Sequence, residues 1–245
     1  MRHSMRAAKG YVMSAVIEVQ HLRKSYGDLV AVDDVSFSVE EGEVFGILGP
    51  SGSGKSTIVE CVKGLRSRDG GDINVLGLDP HQDRAEVTRK LDAQLRAGCS
   101  PERMRLAEAL SLYSSFYRDP ADWGRLLATL GLAPEDGPDE GADGAADLST
   151  VLPLIGNPQV AVFDELTTEL DPRSRQDTWE LIESVRASGL TILMVTRFLE
   201  EAVRLCDRVA LIDQGRIKAS GTPAGLADHL RAERSAGPDL RLSPR

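Results

Sequence analysis

Nine consecutive residues, Gly49, Pro50, Ser51, Gly52, Ser53, Gly54, Lys55, Ser56 and Thr57, follow the apolar run Val44 to Leu48 and lead into a periodic segment from Ile58 to Leu65. Glycines at this spacing let successive backbone N–H groups turn toward one concave side. Lys55 adds a fixed positive charge, and Ser56 places a hydroxyl where a magnesium ion would sit. A strand, a glycine-rich loop and a helix start in that order form a phosphate cradle, so the expected ligand is a nucleoside triphosphate. A second apolar run, Val160 to Phe163, ends in Asp164 and Glu165. It delivers two carboxylates at the carboxyl end of a strand, where open α/β sheets bind their ligands. Asp164 is suited to holding magnesium, directly or through water. Glu165 is suited to orienting or deprotonating an attacking water, because phosphoryl transfer is catalysed mainly by positioning and charge stabilisation.

These residues need a scaffold, and the pattern along the chain supplies one. Short β-branched segments come first, at Val16 to Val19, Val30 to Val39, Val44 to Leu48 and Ile73 to Leu76. From about Pro101 to Leu132 the periodicity turns helical, with Leu106, Leu110, Tyr113 and Phe116 on one side, followed by Trp123, Leu126, Leu127 and Leu130. Strand candidates Val160 to Phe163, Thr191 to Val195 and Val209 to Ile212 then alternate with helical stretches Pro172 to Ala187 and Phe198 to Leu205. That order predicts a mostly parallel sheet. Tyr117, Trp123 and Trp179 sit at helical spacings among apolar neighbours and are expected to pack.

The chain has 245 residues, 41% hydrophobic and 27% charged, enough for a sizeable buried core. A net charge of −9 weighs against a general grip on nucleic acid or anionic lipid, which needs surplus Lys and Arg. Cys61, Cys99 and Cys206 are widely spaced, which fits a reducing compartment and neither a disulfide framework nor a zinc site. No apolar run approaches the ~18 residues that a membrane span needs. Residues 1–13 carry no periodic pattern and are expected to form a flexible arm. Residues 231–245, polar and proline-containing, are expected to form a flexible tail.

Taken together, the Gly49 to Thr57 loop, the Val160 to Glu165 strand and the segment Thr167-Thr-Glu-Leu-Asp171 resemble the nucleotide-binding subunits of ABC transporters, in particular the drug-exporter type that pairs with a separate membrane subunit. The resemblance runs from about Val16 to Leu230. It implies an α/β fold of the P-loop NTPase class: a mostly parallel core sheet, an N-terminal antiparallel β region and a helical insertion at about 96–158, within a domain spanning 14–230. It implies ATP and Mg2+ as ligands, with Ser56 and Asp164 on the metal, Glu165 as the catalytic base, and Tyr26 where the family stacks an aromatic ring on adenine. Tyr26 has a second reading, as a packing residue at a strand edge. The implied partners are a separate ABC transmembrane subunit and a second ATP-binding subunit, as homodimer or heterodimer, with no nucleic acid. The implied location is the cytoplasmic face of the cell membrane, reached through the membrane subunit.

Three positions depart from the family pattern. The stretch that should resemble Leu-Ser-Gly-Gly-Gln and clamp the γ-phosphate of the opposite subunit has no match. In its place, between Pro134 and Leu148, stand Glu135, Asp136, Asp139, Glu140, Asp143 and Asp147 without a Lys or Arg. Like charges 6 Å apart repel by on the order of 3 kcal/mol at an effective dielectric of 20, the wrong sign for a phosphate clamp. The alternative is that these acids only solvate a loop and favour the next helix start. Pro153 falls inside that next helix and is expected to shorten or kink it. Second, Arg197 occupies the place of the family's His after a core strand. Arg donates hydrogen bonds but has no acceptor and keeps its proton, so it either grips phosphate or faces solvent. Third, Arg96, with Gln94 nearby, stands where the family has a glutamine that couples the nucleotide to the membrane subunit. These departures predict binding of Mg-ATP with weakened or partner-dependent hydrolysis. Competing readings are an ATP-dependent interaction protein without a transport role and, less well matched by a single domain without long insertions, a soluble ABC protein acting on ribosomes or DNA.

Overall fold

In the computed structural model, which describes residues 15–93, 106–130, 151–168 and 170–236, the chain enters through two long strands. These are β1 (Ala15–Tyr26) and β2 (Leu29–Glu40), paired antiparallel across a hairpin that turns at Gly27. Then come β3 (Val44–Leu48), α1 (Lys55–Val62) and β4 (Gly70–Val75), which returns to pair antiparallel with β1. The order β2-β1-β4 forms a three-stranded antiparallel sheet. Helix α1 starts at the cradle lysine and stops at Val62, earlier than its periodicity suggests, because Gly64 takes a left-handed φ of 67°.

The second half begins with α2 (Arg84–Lys90) and β5 (Leu91–Ala93). The expected helical block divides into α3 (Leu106–Ser114) and α4 (Trp123–Leu130). Pro120 disfavours helix at the residue before it, and Asp122 restarts one by accepting a hydrogen bond from the Arg125 N–H at 3.1 Å. Next come α5 (helical over 151–155), β6 (Val160–Asp164), α6 (Pro172–Ala187), β7 (Thr191–Thr196), α7 (Leu199–Leu205), β8 (Arg208–Asp213), β9 (Arg216–Gly221) and α8 (Pro223–Ala236). Helix α8 thus extends to Ala236, six residues past the boundary expected at 230. Residues 1–13, 134–148 and 237–245, with Gln94, Arg96 and Cys99, lie outside the described residues.

Six strands form the core sheet in the order β5-β6-β7-β3-β8-β9, parallel throughout except for β9 at the edge. Its central strands are apolar on both sides, as a sheet covered on both faces requires. Phe45, Ile47, Val160, Val162, Leu193, Val195, Ala210 and Ile212 face a core shared with the antiparallel sheet and α1. There the Phe37 and Phe45 rings stack at 5.2 Å between centroids. Val44, Leu48, Ala161, Phe163, Ile192, Met194, Val209 and Leu211 face the opposite way, onto α6, α7 and α8. A third cluster joins α3, α4, α5 and α6 through Leu110, Leu127, Ile155 and Leu181. Parallel strands all end on the same side, so the residues after β3, β6 and β7 meet on one edge of the sheet.

Candidate nucleotide site

The cradle hangs from the carboxyl end of β3. Its first residue, Gly49, donates its N–H to the Thr196 carbonyl at 3.3 Å, so the loop is tied to the end of β7. A Cβ at Gly49 would stand 2.1 Å from the Ile212 carbonyl oxygen, and one at Gly54, whose φ is 104°, would stand 2.3 Å from that of Ala31. Glycine is therefore required at both places by close backbone approach. The contact with Ala31 brings β2 of the β1/β2 hairpin against the cradle.

Helix α1 begins at Lys55 with glycine as its N-cap. No side-chain cap and no acidic residue in the first turn serves its leading N–H groups. Four such groups at a helix start carry partial positive charge and need acceptors. Lys55 is only 3% exposed, and its ammonium donates to the Pro50 carbonyl at 2.9 Å and pairs with Glu165 Oε1 at 3.2 Å. The Ser53 hydroxyl, also buried, has no hydrogen-bond partner among the described residues. At Gly52, with φ of 78°, a Cβ would meet nothing within 4 Å. An uncapped helix start, a buried ammonium and an unsatisfied hydroxyl around open space fit a polyanion. Ser56, exposed in the first turn of α1, and Asp164, half-buried at the end of β6, are an oxygen donor set of the kind magnesium takes.

Glu165 is held in an uncommon conformation. Its φ is 51°, in the left-handed region that a residue with a Cβ avoids, while its N–H donates to the Val195 carbonyl at 2.9 Å. The turn after it closes through the Thr168 N–H to the Glu165 carbonyl at 3.2 Å. Its carboxylate consequently points back to Lys55, a contact that motif spacing alone does not reveal.

Tyr26 ends β1 with 39% of its surface exposed. The Arg66 guanidinium lies 5.4 Å and the Lys24 ammonium 5.7 Å from its ring centroid. Arg66 is itself paired with Glu60 at 2.9 Å, and Lys24 with Asp69 at 2.7 Å. Beside Tyr26 across the hairpin, Leu29 and Val30 are exposed, so an apolar surface adjoins its ring. Arg197 is exposed after β7, its guanidinium 5.1 Å from the Phe198 ring. Pro153 lies in the buried helical stretch 151–155, which ends as the chain turns at Asn157, with φ of 51°. Trp179, expected to pack, is buried and also donates its indole N–H to Glu201 at 2.9 Å. The buried thiols Cys61 and Cys206 are both pushed up by burial, Cys61 to about 11, and are inert packing groups.

A family model for ABC transporters matches residues 32–168 of the chain. Over 245 aligned residues the chain is 36% identical to the Nod factor export ATP-binding protein I of Ralstonia nicotianae, with 94% of this chain and 74% of that protein covered. It is 34% identical to the daunorubicin resistance ATP-binding protein DrrA2 of Streptomyces coeruleorubidus, covering 89% of this chain and 70% of that one. A solved structure of an ATP-binding subunit of an ABC transporter superposes with a TM-score of 0.72 at 26% identity, over 90% of this chain and 99% of that one. With cradle, paired carboxylates and sheet order assembled as described, the chain belongs to the ABC transporter family, as one of its ATP-binding domains.

Proposed function

We propose that this chain is the ATP-binding subunit of an export-type ABC transporter, acting at the inner face of the cell membrane through a separate transmembrane subunit and as a dimer with a second ATP-binding subunit. The observation that carries the reading is the cradle itself, with Lys55 buried at its base and the start of α1 left without a cap. The relatives named for export support the direction of transport. Among the described residues no helix is long and apolar enough to cross a membrane, which agrees with a separate membrane subunit.

In this reading Gly49 to Thr57 wrap the triphosphate and Tyr26 offers its ring to the base. Ser56 and Asp164 would hold Mg2+, which would neutralise charge on the phosphate oxygens. Glu165 is the base for the attacking water. Its carboxylate is also the counter-ion of Lys55, so an incoming phosphate competes with it for the same ammonium. Hydrolysis by the chain alone is weak, because Arg197 lacks the acceptor that a histidine provides and the sequence has no match to the stretch that clamps the γ-phosphate in the family. A partner subunit supplies what is missing.

The test is calorimetric titration of Mg-ATP beside a phosphate-release assay. Lys55→Ala lowers affinity at least 100-fold. Glu165→Gln removes the competing carboxylate and tightens binding by about tenfold, equivalent to about 1.4 kcal/mol at the ammonium. Unchanged affinity in Lys55→Ala would refute the cradle. Brisk turnover by the wild-type chain alone, lost in Glu165→Gln, would refute weak hydrolysis while leaving ATP binding in place.

A further inference from the structure

Behind the nucleotide site, three buried side chains, from two helices and the turn after β6, meet at one oxygen. Glu201, on α7 and 2% exposed, accepts through Oε1 from the Thr167 hydroxyl at 2.7 Å and from the Trp179 indole N–H at 2.9 Å. Thr167 is 1% exposed and stands two residues after Glu165; Trp179 belongs to α6 and is 7% exposed. A carboxylate is costly to bury and is retained only when hydrogen-bonded, so this meeting point is specified closely by its two donors.

Its placement gives it leverage on the site. Thr167 lies inside the turn that the Thr168 N–H closes onto the Glu165 carbonyl, and the Leu170 N–H continues it by donating to the Thr167 carbonyl at 3.3 Å. Helix α7 starts immediately after the Arg197-Phe198 segment, whose Phe198 N–H donates to the Thr196 hydroxyl at 3.0 Å; the Thr196 carbonyl in turn receives the cradle's Gly49 N–H. Glu201 therefore joins the chain after β6 to the chain after β7, the two segments that flank the phosphate position.

We propose that Glu201 is a positioning residue for Glu165: through Thr167 it holds the turn that keeps Glu165 at its left-handed φ and on Lys55, and it passes displacement of that carboxylate by nucleotide to Trp179. The inference rests on the ATP reading above. When phosphate takes Lys55, Glu165 swings away, the turn shifts, and the Thr167 hydroxyl moves relative to Glu201. The indole N–H of Trp179, bonded to the same oxygen, then experiences a changed field. Thr167→Val keeps the volume of the side chain and removes the hydroxyl that Glu201 holds.

The experiment uses the full chain with Trp123→Phe, which leaves Trp179 as the sole tryptophan of the two in the sequence. Binding of Mg-ATP is followed by calorimetry and, in parallel, by Trp179 fluorescence. The expected result is a saturable change in Trp179 emission that tracks binding, is lost in Thr167→Val, and is restored neither by higher nucleotide nor by longer incubation. Affinity in Thr167→Val rises by no more than the roughly tenfold expected of Glu165→Gln, because the cradle is intact and only the hold on Glu165 is loosened. Glu201→Gln keeps the Oε1 acceptor and is expected to retain the emission change, whereas Glu201→Leu loses it. Binding without an emission change in the Trp123→Phe protein, or an emission change that persists in Thr167→Val, overturns the inference alone. Absence of binding in the calorimeter overturns the ATP reading, and this inference with it.

Discussion

Lys55 and Ser53 show how a site can be complete and yet unsatisfied. Lys55 makes its peace with Pro50 and Glu165, whereas Ser53, 4% exposed, places a hydroxyl against the cradle with no partner among the described residues. An orphaned buried hydroxyl costs the folded state and is retained where a ligand completes it. Ser53→Ala is therefore expected to leave the urea midpoint of the nucleotide-free protein unchanged or slightly raised, and to weaken Mg-ATP binding about 3- to 10-fold by calorimetry. A hydroxyl that matters only for folding would give the reverse, a lower midpoint with unaltered affinity. The identities at this scale were legible from the chain: the glycines, Lys55, Asp164 and Glu165 announce phosphate chemistry by type and spacing. The orientation of Glu165 toward Lys55 was not, because a left-handed φ at a glutamate is imposed by the Val195 carbonyl, a neighbour from another strand.

At the level of the element, the turn that follows Glu165 delivers the chain into α6 through a well-formed cap. Asp171 accepts from the Arg173 N–H at 2.9 Å and the Ser174 N–H at 3.3 Å, and Pro172 occupies the first helical position. The Ser174 hydroxyl and these N–H groups hold the Asp171 carboxyl below its ordinary value of 3.8. A lowered folded-state pKa means that the stabilisation is present above 3.8 and is lost as pH falls through the folded value. Asp171→Ala is expected to lower the thermal midpoint by a few degrees, with a deficit that is constant from pH 7 to pH 5 and shrinks below 3.8. Scanning calorimetry across that range checks it, and a deficit that grew on acidification would contradict the cap. Helix α6 was readable to its end residues, since Asp, Pro and an apolar period coincide there. Elements α2, β5 and β9 were not, because they are short and carry no apolar rhythm; β9, reading Arg-Ile-Lys-Ala-Ser-Gly, is a strand only because β8 lends it a ladder. The division between α3 and α4 was missed because Pro120 and Asp122 act over a few residues inside a longer helical period.

Across the whole molecule, the site depends on two sheets held face to face. Phe45, fully buried on β3, stacks on Phe37 of β2, and β3 carries the cradle at its end. Phe45→Ala opens a cavity between the sheets and is expected to cost about 3 to 5 kcal/mol, read from urea unfolding, with nucleotide affinity falling as the cradle loses its support. Loss of less than 1 kcal/mol would show that the two sheets are joined elsewhere. The order of the longer strands and helices and the chemistry of the loops were determined by the sequence, because apolar periods and glycine, proline and acid signals are local properties of the chain. The six-stranded order β5-β6-β7-β3-β8-β9, the approach of Ala31 to the cradle, the Lys55 to Glu165 contact and the meeting of Thr167, Trp179 and Glu201 were decided only by the tertiary structure. Each of these joins residues far apart along the chain, and such pairs are selected by competition among packings of the whole core, which no local pattern encodes.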